Sequence, residues 1–353
     1  MRLFKCQSCG QVLYFENTRC ERCGHTLGYL PELGQLSALE PEAEAFRPLA
    51  APDTLMRFCD NATHDACNWM VPAASDARLC PACTHNHTIP DLSDPQNLLL
   101  WRRLEIGKHR LFYALDRLRL PTDADESTDP PTPALLFDFL AATEPGTQVM
   151  TGHDNGLITI ALSEADDAAR EQVRTAMQEP YRTPLGHFRH ESGHYYWDRL
   201  VRLGDRLEAC RALFGDDRQD YGEALQKHYA EGPPPDWQNN FVSAYATTHP
   251  WEDFAETWAH YLHITDTLET ARAFGLSVRP RIDTEGAMHA NIDTDPYRAD
   301  SIETMMEDWL PLTFAVNSLN RAMGQPDLYP FVLAPPAIAK LGFIHQLVRD
   351  AGK

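Results

Sequence analysis

Positive charge is scarce in this 353-residue chain, which has 31 Lys and Arg against 51 Asp and Glu and a formal net charge of −20. Because nucleic acids and anionic membrane surfaces repel a negative protein, we expect neither as a partner. The hydrophobic fraction of 43%, with 7 Trp, 12 Tyr and 15 Phe, is instead typical of folded domains with a substantial core. At roughly 150 residues per domain, the length predicts two domains.

Long apolar runs are also lacking. The strongest, Leu98–Trp101, is followed at once by Arg102 and Arg103, so no transmembrane helix of roughly 18 apolar residues is expected. The N-terminal residues MRLFKCQSCG contain no apolar signal-peptide core. We therefore expect a cytoplasmic protein, whose nine cysteines are reduced thiols and metal ligands rather than disulfides.

Eight of the nine cysteines lie before residue 84 and form two sets of four. The first set has the spacing C-x2-C-x10-C-x2-C and comprises Cys6, Cys9, Cys20 and Cys23. The second has the spacing C-x7-C-x12-C-x2-C and comprises Cys59, Cys67, Cys80 and Cys83. Four thiolates form a closed tetrahedral zinc site with no position left for substrate. We predict two structural zinc ions, held by zinc ribbons at residues 1–30 and about 57–90.

Other arrangements of these cysteines are open at this point. The thiols can be buried without metal, or the sets can interleave so that Cys6 and Cys9 join Cys59 and Cys67. Three histidines are spare ligands if one cysteine is unused: His64, His85 and His87. The ninth cysteine, Cys210, stands alone among apolar residues and is expected to be a buried core thiol.

The net charge of the ribbon region favours a protein partner over a nucleic acid. Residues 1–96 contain 7 Lys and Arg against 12 Asp and Glu, a formal −5, which leaves little attraction for phosphate. We therefore expect any partner of the ribbons to be a protein. Between the two cysteine sets, residues 31–56 have the Pro, Ala and Glu composition of a tether.

Beyond residue 97 the pattern is mostly helical. Apolar residues recur at helical spacing from Asn97 to Leu120, and further helices are expected after Pro184 and after Pro250. The clearest strand is Gly156–Leu162, which is short and β-branched. It matches the edge strand on which zincins bind an extended peptide, although it can equally be an ordinary member of a sheet.

The helix after Pro184 contains the HExxH sequence His190-Glu191-Ser192-Gly193-His194. Residues four apart project from one face of a helix, so both imidazoles can bind one zinc ion. Glu191, one step round the helix, can then act as general base towards water. The alternative is an amphipathic helix in which the two histidines are incidental.

A catalytic zinc needs a third protein ligand, and the segment Ser243–Glu256 supplies the best candidate. Glu252 lies in the first turn of the helix after Pro250, and two histidines with one glutamate are a common ligand set of zinc peptidases. Glu256 is the main competitor. Weaker rivals are, in chain order, Asp220, His249, His260 and His263.

HESGH followed by YATTHPWEDFAE resembles the gluzincins, and the spacing is closest to the anthrax lethal-factor type of catalytic domain. The resemblance implies that Glu252 is the third zinc ligand and that Glu256 is a carboxylate supporting the site. It also implies that the phenol of Tyr245 stabilises the oxyanion.

The whole chain is also similar to the bacterial zinc-binding metallopeptidases that carry an N-terminal zinc ribbon. The likeness covers nearly all of residues 1–350 and includes the eight cysteines, HTIPDLSDPQN, GHFRHESGHYYWDRL and FVSAYATTHPWEDFAETWAHYLHI. It implies an α+β fold with a zinc-ribbon region at residues 1–96. A mostly helical zincin-like metallopeptidase domain with a small sheet then spans residues 97–353.

The function expected from this pattern is zinc-dependent hydrolysis of a peptide bond. The cofactors are one catalytic zinc on His190, His194 and Glu252 and two structural zinc ions on the cysteines. Glu191 serves as general base and Tyr245 as oxyanion donor, and the substrate is a protein or peptide. Two other classes stay open: a non-catalytic zinc-stabilised scaffold that binds protein, and a zinc hydrolase of a non-peptide amide.

Overall fold

The computed structural model describes residues 1–142, 149–177 and 179–353. It divides into two compact units. The first takes its described residues from 1–117, 134–177 and 183–185, and the second from 118–133, 178–182 and 186–353. Helices and several small sheets together confirm the α+β class. The first unit extends past residue 96, because it includes a long helix and a four-stranded sheet that follow the ribbon region. The domain boundary expected at residues 96/97 remains a prediction.

The first unit opens with a two-stranded hairpin and two cysteine turns. Strands β1 (Phe4–Lys5) and β2 (Val12–Leu13) pair antiparallel. Gly10 and Gly24, each just after a C-x2-C, have φ values of 76° and 78°. Only glycine adopts this left-handed conformation without strain, and it lets each turn close by an N–H bond back to Cys6 or Cys20.

A five-stranded antiparallel sheet follows, and it shows that the tether predicted for residues 31–56 is wrong. Its strands are β3 (Thr26–Leu30), β4 (Gln35–Glu42), β5 (Ala45–Pro48), β6 (Met56–Phe58) and β7 (Met70–Pro72), in that spatial order. Leu30, Leu39, Met56 and Met70 form a small core beneath it. Overall Pro and Glu content conceals these few apolar positions, which are enough to bury one face of a sheet.

The rest of the first unit is a helix and a mixed sheet. The elements in chain order are β8 (Asn86–Thr88), α1 (Pro95–Leu118), β9 (Leu136–Leu140), β10 (Gly152–Asp154), β11 (Leu157–Ala161) and α2 (Asp167–Ala176). Strand β11 confirms the predicted strand. Of the two alternatives left open for this strand, the structure shows the ordinary sheet member and not the edge strand, since β11 lies between β9, with which it is parallel, and β10, with which it is antiparallel.

The second unit is built around one buried helix. Its elements are α3 (Pro184–Tyr196), α4 (Leu207–Phe214), α5 (Tyr221–Glu231), α6 (Pro250–Ala273), β12 (Ser277–Val278), β13 (Ala290–Asn291), α7 (Ile302–Ala322) and α8 (Pro335–Ala351). A π-helical turn, Trp197–Arg202, continues α3. Helix α6 is buried on most of its circumference, as expected for a helix that other helices surround.

Among the described helices, none has the length and apolar character needed to cross a bilayer.

Candidate metal centres

A close crossing of α3 and α6 brings the HExxH segment against the predicted third ligand. A Cβ added at Gly193 would lie 2.8 Å from the Cα of Ala255, so only glycine fits between the two backbones. Glu252 and Glu256 are on the same part of α6 as Ala255, within one turn of it. The glycine of HESGH therefore sets how near the carboxylates of α6 come to the histidines of α3.

Three donor atoms converge at this crossing. The Nε2 atoms of His190 and His194 lie 3.0 and 3.5 Å from Oε2 of Glu252, and one donor atom from each residue lies within 4.8 Å of the others. Within the described chain, Glu252 Oε2 is buried and accepts no hydrogen bond. A buried carboxylate oxygen without a hydrogen bond is costly, and a bound cation would remove that cost.

Glu256, the main competitor of Glu252, is hydrogen-bonded through both of its carboxylate oxygens. Its Oε1 accepts a bond of 2.7 Å from His190 Nδ1, and its Oε2 accepts one of 2.6 Å from the hydroxyl of Ser243. Both carboxylate oxygens are thus engaged. With Nδ1 donating its proton to Glu256, the lone pair of His190 Nε2 faces the cluster, which is the usual arrangement of a metal-bound histidine.

Glu191 and Tyr245 flank the same cluster. Glu191 is buried beside the two histidines, and burial raises the pKa of its carboxyl above the ordinary value. Tyr245 lies in a short 3-10 turn just before α6, with its ring centroid 5.9 Å from that of His190. Burial and the nearby negative charge of Glu252 raise the pKa of Tyr245, so its phenol stays protonated and can donate a hydrogen bond.

The weaker rivals have other roles. Asp220 accepts a bond from the backbone N–H of Glu223 and caps α5, and His249 caps α6 in the same way through Trp251. His260 Nδ1 lies 2.6 Å from the hydroxyl of Tyr329. His263 contacts the guanidinium of Arg189. The geometry therefore favours Glu252 as the third donor.

Each cysteine set forms its own cluster rather than interleaving. In the first set, the Cys6–Cys23 and Cys9–Cys20 sulfur atoms are 3.6 Å apart. In the second, the Cys67 and Cys80 sulfurs are 3.7 Å apart, and all four donor atoms lie within 4.8 Å of one another. The three spare histidines have other contacts: His64 packs edge-on to Trp101, His85 bonds the carbonyl of Leu135 and His87 bonds Asp138.

Two family models match the chain. One, described as "putative zinc-binding metallo-peptidase", covers residues 97–347, and the other, a zinc-ribbon domain, covers residues 3–94. The chain belongs to this metallopeptidase family. Similar relatives are uncharacterized proteins of Mycobacterium bovis and Mycobacterium tuberculosis, 42% identical over 351 residues, which cover 99% of this chain and 96% of each relative. No solved structure matches.

The donor chemistry fits the zinc that the family name implies. Imidazole nitrogen, carboxylate oxygen and cysteine thiolate are all established ligands of zinc, and two histidines with one glutamate are a common set for a catalytic site. The clusters therefore agree with a zinc-binding member of the metallopeptidase family.

The sequence pattern did not identify Tyr221, although the structure places it in contact with the candidate third ligand, Glu252. At the start of α5, its hydroxyl donates a bond of 2.9 Å to Oε1 of Glu252, which leaves Oε2 as the oxygen directed at the histidines. Its ring packs edge-on to Trp251, and Trp251 lies over His194 with the ring centroids 3.7 Å apart. No spacing rule identifies such a contact, because the two residues are 31 positions apart.

Replacing Tyr221 by Phe should lower the zinc affinity of this centre about 10–100-fold, because Glu252 loses the bond that orients it. Competition with a chromogenic chelator would measure the change. Tyr229→Phe, on the same helix but 60% exposed, is the matched control and should leave the affinity unchanged. Equal affinities for Tyr221→Phe and the unmodified protein would contradict this role.

Proposed function

We propose that the chain is a zinc-dependent peptidase with a gluzincin-like centre formed by His190, His194 and Glu252. The observation that carries the proposal is the convergence of their donor atoms beside a buried Glu191. Zinc bound by these three residues would act as a Lewis acid, which polarises a scissile carbonyl and lowers the pKa of water.

Glu191 is the group that moves the proton. It neighbours His190 in helix α3 and is buried with the two histidines, so its carboxylate is the candidate acceptor for a proton of water. It takes a proton from the attacking water and transfers it to the leaving amine. Glu256 and Ser243 keep His190 oriented throughout.

Tyr245 stabilises the negative charge that develops on the carbonyl oxygen of the substrate. We expect Tyr245→Phe to lower kcat about 100-fold, equivalent to about 3 kcal/mol, with little change in KM, because the bond forms only in the transition state. Steady-state kinetics on a cleaved peptide would show this. Tyr14→Phe, which changes a 55% exposed tyrosine of the first unit, serves as control, and a Tyr245→Phe enzyme with unchanged kcat would contradict the assignment.

The direct test is a screen of the purified protein against a peptide library, with and without a metal chelator. Cleavage that the chelator abolishes and zinc restores supports a peptidase. Metal binding without turnover would favour the zinc-stabilised scaffold. Turnover restricted to small amides would favour a non-peptide amide hydrolase.

The ribbon region would serve to position the enzyme or recruit a protein. Its formal charge of −5 opposes binding to phosphate. Val12 and Tyr14, 49% and 55% exposed at the hairpin, are apolar side chains available for contact with a protein.

A further inference from the structure

Helix α1 places three buried ionisable side chains against the second cysteine set. Glu105 and Lys108 are fully buried, and His109 is 5% exposed. They occupy one face of the helix, facing Cys67 and Cys83. Ionisable groups are rarely buried together unless they bind one another or a metal ion.

His109 is oriented as metal-bound histidines are. Its Nδ1 lies 2.7 Å from the backbone carbonyl of Glu105, to which it donates. Its Nε2 lies 3.3 Å from Sγ of Cys67 and 3.6 Å from Sγ of Cys83. The bond to the carbonyl keeps the proton on Nδ1. It therefore leaves the lone pair of Nε2 directed at the cysteines, as in a histidine that binds metal.

Glu105 is held in a comparable way. Its Oε1 accepts bonds from Lys108 Nζ at 2.9 Å and from Asn86 Nδ2 at 3.0 Å. Its Oε2 points the other way and lies 3.7 Å from Sγ of Cys83. Donor atoms of Cys83, Glu105 and His109 all lie within 4.8 Å of one another.

The charge of the cluster also favours more than one metal ion. With metal bound, the four cysteines would be thiolates, so that they and Glu105 would carry five negative charges against the one positive charge of Lys108. One zinc ion would leave two negative charges in a buried site, whereas two zinc ions would make it neutral. An uncompensated buried charge is strongly unfavourable.

We propose that the second cysteine set holds two zinc ions rather than one. Cys59 and Cys80 bind the first ion, Glu105 and His109 bind the second, and the thiolates of Cys67 and Cys83 bridge them. Each ion then has four donors, so the site is closed and structural. The pair of ions ties the second ribbon to helix α1, and this assignment is independent of the proposed peptidase activity.

Zinc K-edge X-ray absorption on the full chain tests the bridge directly. We expect a zinc–zinc distance of about 3–3.5 Å, because bonds of about 2.3 Å join both ions to the same two sulfur atoms, and separate mononuclear sites cannot produce this distance. His109→Ala should in addition lose one zinc per chain in elemental analysis while the first ribbon and the site at His190 keep theirs. His87→Ala, which removes a 56% exposed histidine bonded to Asp138, is the control and should lose none.

Absence of the zinc–zinc signal in the unmodified protein overturns the proposal, even if His109→Ala fails to fold. An unchanged zinc count in folded His109→Ala overturns it as well. In either case the second set is a mononuclear four-cysteine site, and His109 only contacts its thiolates.

Discussion

Replacing Glu191 by Gln should abolish measurable peptide cleavage while leaving the zinc content unchanged. Gln has the same shape and fills the same buried position beside the histidines, but it cannot accept a proton. Loss of a positioned general base costs typically about 10²–10⁴-fold in rate. The zinc donors come from His190, His194 and Glu252, none of which is altered, so the metal should remain.

The measurement pairs kcat/KM on a confirmed substrate with zinc content by elemental analysis. Asp198→Asn is the matched control, because it neutralises a carboxylate on the π-helical continuation of α3 that is paired with Arg202 instead of the cluster. The control should keep full activity. A Glu191→Gln enzyme that retains both zinc and full turnover would show that another group removes the proton.

The parts of the site that the sequence predicts are those that lie within one helix or one turn. HExxH places two histidines on one face of α3 by helical geometry alone, and C-x2-C places two sulfurs in one turn. The choice of Glu252 for this pair rested on ligand chemistry and on resemblance, because the crossing of α3 and α6 at Gly193 is a tertiary contact that helical geometry alone does not predict. Only the structure shows that the carboxylate of Glu252 approaches both imidazoles.

The parts that the sequence did not predict are contacts between distant segments. His109 lies 42 positions from Cys67, and Tyr221 lies 31 positions from Glu252. Neither residue belongs to a spaced motif, so composition and periodicity carry no information about them. The prediction of a tether at residues 31–56 was wrong for a related reason. Strand pairing depends on neighbours across the sheet, and the average Pro and Glu content conceals the few apolar positions that pack beneath the sheet.

Replacing Glu252 by Ala should remove one zinc per chain and all peptidase activity, while the zinc of both cysteine clusters stays bound. The two imidazoles that remain are too few for a stable site, since catalytic zinc generally keeps three protein ligands. The cysteine clusters lie in the other compact unit and contain none of the altered atoms. The loss is therefore expected to be specific to this one ion.

Elemental analysis after dialysis against a mild chelator distinguishes the centres, because closed thiolate sites release zinc less readily than a site with an open position. Glu223→Ala, an exposed carboxylate in α5, is the control and should retain every zinc. If Glu252→Ala keeps the zinc count of the unmodified protein, the third ligand is another residue, with Glu256 the first candidate. In that case the bonds of Glu256 to His190 and Ser243 would have to rearrange when metal binds, and the Ser243→Ala variant would then bind zinc more tightly than the unmodified protein.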